Sequence, residues 1–171
     1  VNVVTRSSSL DAGAVFSPDD VYRYLLWRQW QDLTAKPGTV VWAMLNPSTA
    51  DETVLDPTLR RCKGFTQRFG YARFEVVNLF AYRSTDPGAL PIVRDPVGPA
   101  NDEIIAKAFA DAELVVVGWG SFQMVERRAL RIAELAAAAG KQLHCLGVTK
   151  QGHPRHPLYL AGNTELRSWG A

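Results

Sequence analysis

The sequence predicts an α/β fold, a three-layer α/β/α sandwich with a mainly parallel central sheet, from three observations. Short continuous apolar runs rich in β-branched residues recur along the chain, as strands covered on both faces should read. Stretches with helical spacing of apolar residues separate them, and that alternation implies right-handed crossovers with helices on both faces. The chain has 171 residues, 47% hydrophobic and 21% charged, which suits one domain with a substantial core.

Residues 1–20 mix Ser, Asp, Gly and Pro with little periodicity and read as an irregular arm ending in a turn at Ser17-Pro18-Asp19-Asp20. The single α/β domain then occupies 21–171. In 21–30, Tyr22, Tyr24 and Leu26 alternate with Arg23, Leu25 and Trp27. That alternation suits a strand at an antiparallel edge, with a helix as the alternative. Lys36-Pro37-Gly38 is turn chemistry, and the apolar run 39–45 that follows is the first central strand.

Asp56-Pro57 supplies an N-cap and a first-turn proline, Leu59, Cys62, Phe65 and Phe69 form one helical face, and Gly70 is the stop. The run 74–80 is the second central strand. Residues 81–100, punctuated by Pro87, Pro91, Pro96 and Pro99, form a long irregular connection of the kind that often carries function. Asn101-Asp102 starts a helix through about Ala110, and 114–118 is a third buried strand ending at Trp119-Gly120. Residues 124–139 have high helix propensity, with Val125, Ile132, Leu135 and Ala136 as the buried stripe and Gly140 as the end. The fourth strand is 142–147.

Bulk properties narrow the function classes. A formal charge of +2 does not by itself announce nucleic acid or a membrane surface. Cys62 and Cys145, each inside a regular element, do not make a disulfide framework, a four-thiolate zinc site or an iron–sulfur cluster. No apolar run approaches the ~20 residues of a membrane span. The expectation is a cytoplasmic protein with no cofactor, no metal and no membrane partner.

The chemistry collects in loops after the strands, at the edge where ligand sites of open parallel sheets lie. Asn46-Pro47-Ser48-Thr49-Ala50-Asp51 follows the first strand, and Pro47 biases Asn46 away from helical angles, presenting its amide to a water or a base edge. The same residues are also good turn chemistry. Asp51 is a candidate general base, with capping as its plain alternative. Asn78 is a polar residue at the end of an apolar strand and needs partners from the protein, water or a ligand. Phe80 is placed to stack on a planar ligand or to fill the core, and Trp119 sits in a tight turn after the third strand.

The last loop gathers Lys150, His153, Arg155, His156 and Tyr159. Two imidazoles and two cations suit an anionic leaving group or phosphates, while His-Pro-Arg-His lacks the companions of a zinc motif. Arg60 and Arg61 make the segment after the first loop basic, either as contacts to a nucleic-acid backbone or as a solvated helix face.

Leu45-Asn46-Pro47-Ser48-Thr49-Ala50-Asp51, Asp56-Pro57-Thr58 with Arg60-Arg61-Cys62, Asn78-Leu79-Phe80-Ala81, Thr85-Asp86-Pro87, Gly118-Trp119-Gly120, and Leu146-Gly147 with Thr149-Lys150 through His156-Pro157-Leu158-Tyr159 together resemble the DUF1643 family of bacterial and phage proteins, from about Tyr22 onward. More distantly, the layout is similar to the uracil-DNA glycosylase superfamily, with its motifs after the first and last central strands. That resemblance implies that Asn46 positions the attacking water, that Asn78 reads the base, and that a tail histidine stabilises the departing base. Two departures stand: Met44 replaces an expected glycine, and Arg155-His156 interrupts the closing His-Pro-Ser-Pro-Leu pattern, so His153 and His156 both fit as its histidine.

The combined expectation is a uracil-DNA glycosylase-like protein acting on a nucleobase in nucleic acid or a nucleotide. Its catalytic candidates are Asn46, Asp51, His153 and His156. Pro47, Ser48, Thr49, Asn78, Phe80, Trp119, Lys150, Arg155 and Tyr159 would bind substrate, and Arg60 and Arg61 the backbone. The alternative is a non-catalytic nucleotide or nucleic-acid binding module.

Overall fold

The computed structural model describes residues 1–48, 50 and 53–170. Among these residues the chain forms a sheet of eight strands: β1 Val4–Ser9, β2 Ala12–Phe16, β3 Arg23–Gln29, β4 Val40–Met44, β5 Arg73–Asn78, β6 Leu114–Val117, β7 Leu143–Cys145 and β8 Arg167–Ser168. Three α-helices accompany them, α1 Pro57–Arg68, α2 Asn101–Asp111 and α3 Val125–Ala138. None of the helices is long and apolar enough to cross a membrane.

The strand order is β1-β2-β3-β5-β4-β6-β7-β8. Pairs β1/β2, β2/β3, β3/β5 and β7/β8 are antiparallel, and only β5/β4, β4/β6 and β6/β7 are parallel. This corrects the expected mainly parallel three-layer sandwich: the sheet is mixed, and most of its junctions are antiparallel. The physical reason lies in residues 1–39 and in the 146–166 connection between β7 and β8, neither of which contains a helical segment long enough for a crossover. Strands joined without one must pair antiparallel. The expected irregular arm is accordingly the β1–β2 hairpin, turning at Leu10-Asp11. Its outer strand is almost wholly exposed and therefore carries no hydrophobic alternation to betray it. Of the two readings of 21–30, the strand is the one formed, as β3.

The parallel strands explain where a site can form. From β4 the chain steps through α1 to β5 on one side, then through α2 to β6 on the other side of β4. Right-handed crossovers in opposite directions put their helices on opposite faces. The core agrees: Leu59, Cys62 and Phe65 of α1 pack with Val40, Trp42 and Met44, whereas Ile105, Phe109, Val125 and Ile132 of α2 and α3 pack with Val41, Ala43, Val115 and Val117. Alternate residues of β4 thus serve opposite faces, and all five are buried. Trp42 also donates its indole N–H to Thr66 Oγ1 at 3.0 Å, fixing α1 over the sheet. A reversal of winding at β4 opens a crevice beyond the carboxyl ends of the strands, the position where ligands settle in such sheets.

Candidate active site

A cavity of about 510 Å³ opens at that crevice. It is built from the ends of neighbouring strands and their loops: Met44, Leu45 and Asn46 from β4, Asn78 from β5, Trp119 and Gly120 after β6, and Thr149, Arg155 and His156 after β7. Backbone pairing continues past the strands. The Leu79, Phe80 and Gly118 amides donate to the carbonyls of Met44, Leu45 and Ala43, so the loops leave the sheet in fixed register. Gly118 lets the tail loop close on this edge, because a Cβ there would meet Pro157 Cδ at 3.1 Å and Met44 Sδ at 3.4 Å.

Asn46 does part of what a turn residue does. Its Nδ2 donates to the carbonyls of Ser84 at 2.9 Å and Pro47 at 3.1 Å, stapling the β4 loop to the β5 loop. Pro47 itself is buried, and Ser48 lines the cavity. The donor side of the Asn46 amide is used up, and its oxygen remains an acceptor at the cavity wall.

Asn78 is 1% exposed, lines the cavity, and its Nδ2 has no hydrogen-bond partner. Its backbone is clamped: Asn101, itself fully buried, donates to the Asn78 carbonyl at 2.9 Å and the Leu79 carbonyl at 3.3 Å, and Arg128 Nε adds a bond to Leu79 at 2.9 Å. The Nε1 of Trp119 is likewise buried without a partner at the cavity wall. Trp169 holds that ring edge-on, with centroids 5.1 Å apart.

The structure separates the two tail histidines. His156 lines the cavity and caps the 3₁₀ turn Pro157–Tyr159, its Nδ1 accepting the Leu158 amide at 3.3 Å. That bond places the ring proton on Nε2. Burial holds His156 below the usual imidazole range, against an opposing pull from Asp56. It is therefore a neutral donor at neutral pH. His153 is not among the cavity residues, and its Nε2 lies 3.8 Å from Glu126 Oε1 on α3.

The other candidates divide similarly. Arg155 and Tyr159 line the cavity, Tyr159 as an exposed rim ring 5.6 Å from the His156 ring. Lys150 is exposed away from it, and Phe80 is buried in the core behind it. Arg60 is exposed on α1, outside the cavity. Arg61 is a strut: it donates to the carbonyls of Pro157 and Leu160 and lies over the Phe65 ring, tying the tail loop to α1. Thr49 and Asp51 lie outside the described residues. Among the described residues, no three His, Cys, Asp or Glu side chains are grouped to hold a metal ion.

Sequence reasoning missed two charged members of the wall. Asp56 and Arg23 both line the cavity, whereas the sequence marks Asp56 only as the cap of α1 and Arg23 only as one residue of an alternating strand. Arg23 is 2% exposed and donates to the Ala50 carbonyl. An arginine at an inward register position of an apolar strand was the available signal.

The family described as "Protein of unknown function (DUF1643)" matches residues 23–158. The chain belongs to this family. Its matched region spans β3 to the tail loop and so contains nearly the whole cavity wall. No curated protein and no solved structure matches the chain.

Proposed function

We propose that this cavity binds a nucleobase carried by nucleic acid or a nucleotide and that the chain hydrolyses the N-glycosidic bond of a modified base, with chemistry resembling that of the uracil-DNA glycosylase superfamily. One observation carries the reading: Asn46, Asn78 and His156, from three loops far apart in sequence, converge on one cavity. Each brings the group the reaction needs. The Asn46 oxygen accepts a hydrogen bond from water and aims it, the unpartnered Asn78 amide donates to an acceptor on the base, and the His156 Nε2–H donates to the base as it leaves with the bond's electrons. A cavity of about 510 Å³ admits a base with its sugar. A base in a duplex must first leave the stack, so single-stranded or mismatched substrates should react fastest.

The test is release of free base from single- and double-stranded oligonucleotides carrying uracil or other modified bases, and from the corresponding nucleotides. Wild-type protein should release base, and Asn46→Ala should slow release by about 100-fold or more. Salt-sensitive binding with no release from any substrate would replace the hydrolase with a non-catalytic binding module.

A further inference from the structure

Capping α1 does not exhaust the chemistry of Asp56. Its Oδ1 accepts the Leu59 amide at 2.8 Å, and its second oxygen has no protein donor among the described residues. Asp56 lines the cavity beside Thr58 and Leu59, and it is the one carboxylate among the described residues that does so. Two caps meet here. The 3₁₀ turn capped by His156 packs against α1, and Arg61 holds it there through the Pro157 and Leu160 carbonyls. The cap of one element is thereby brought to the cap of the other, close enough for the Asp56 charge to act on the His156 imidazole.

We infer that Asp56 is the general base of the cavity, taking a proton from the water that attacks the anomeric carbon. The inference rests on the N-glycosidase reading above and adds a group that reading lacks. Asn46 can orient a water, but an amide oxygen does not accept its proton at neutral pH, whereas a carboxylate does. As the water oxygen bonds to the anomeric carbon, one water proton passes to Asp56. The N-glycosidic bond breaks, and its electron pair departs with the base. The base anion, held by the His156 Nε2–H, then takes a proton from solvent, and Asp56 returns its own. The sum is addition of one water across the bond.

Asp56→Asn tests this cleanly, because asparagine caps a helix as well as aspartate does while lacking the basicity. Asp56→Ser, also a capping residue, repeats the measurement should the first variant fail to fold. The expected result is a fall in kcat of about 100-fold or more with KM little changed, together with a lower His156 titration midpoint by NMR as the neighbouring negative charge is removed. Wild-type rates in a folded Asp56 variant would overturn the inference and leave the N-glycosidase reading standing. The same holds if Asp51→Asn abolishes turnover while Asp56→Asn does not, since the base is then Asp51. A wild-type protein that releases no base from any substrate overturns both.

Discussion

Asn78 sets function against stability at a single side chain. A buried donor left unpaired costs about 1–3 kcal/mol, and the Asn78 Nδ2 is buried at the cavity wall without a partner. Leucine keeps the branching at Cγ and removes the unpaired group, and its larger volume has the cavity to extend into. Asn78→Leu should therefore raise the stability by about 1 kcal/mol in urea unfolding while abolishing ligand binding measured on the same sample. A less stable variant that still binds would show that the amide serves the protein and not a ligand. Residues of this kind are legible in a sequence because a polar side chain ending an apolar strand is anomalous. Asp56 was not, since Asp-Pro before a helical face is fully explained as a cap, and a residue with one sufficient role gives no hint of a second. Arg23 stayed hidden because the alternation of 21–30 does not say which register faces a cavity.

At the scale of elements, α1 governs the tail loop through Arg61. The guanidinium serves two carbonyls of a segment about a hundred residues away in sequence, so its charge is spent on architecture. Arg61→Met keeps an apolar stem and removes the donors together with the guanidinium over Phe65. The tail loop should then open to limited proteolysis between 150 and 160, with a loss of about 1–3 kcal/mol in global stability and little change elsewhere. An unchanged cleavage pattern would return Arg61 to the role of a surface cation free to meet phosphates. The choice between His153 and His156 also belongs to this scale. Both sit in one short loop, and only the docking of the 3₁₀ turn on α1 decides which ring faces the cavity.

For the molecule as a whole, the interior strands and the helices were readable, and the sheet's margins were not. The runs expected at 39–45, 74–80 and 114–118 became β4, β5 and β6: β4 and β6 are continuously apolar, as strands covered on both faces must be, and β5 alternates half-buried Arg73 and Glu75 with buried Phe74 and Val76 before its buried end. The hairpin β1–β2 and the two-residue β8 lie at the edges, where one or both faces meet water and the pattern that marks a strand is absent. Without those edge strands the sheet reads as mainly parallel; with them it is mixed. The crevice lies at the carboxyl ends of β4, β5 and β6, with Arg23 of β3 and the loop after β7 completing its wall.

The edge-on pair Trp119 and Trp169 makes the segment that leaves the last strand a part of the site. Trp169 lies past the region 23–158 that the family match covers, and it also donates to the Gly152 carbonyl in the tail loop. Ending the chain at residue 158 would keep Asn46, Asp56, Asn78 and His156, yet it would strip Trp119 of its brace and Arg61 of the Leu160 carbonyl. Such a truncation also loses β8 and Tyr159 of the cavity rim; it should fold around the remaining seven strands, shift the emission of its remaining tryptophans to the red, and bind ligand more weakly than the full chain. The cavity-lining indole is one of five in the chain, and the part of the emission lost in Trp119→Phe offers a titration signal, turning a packing contact into a gauge of occupancy.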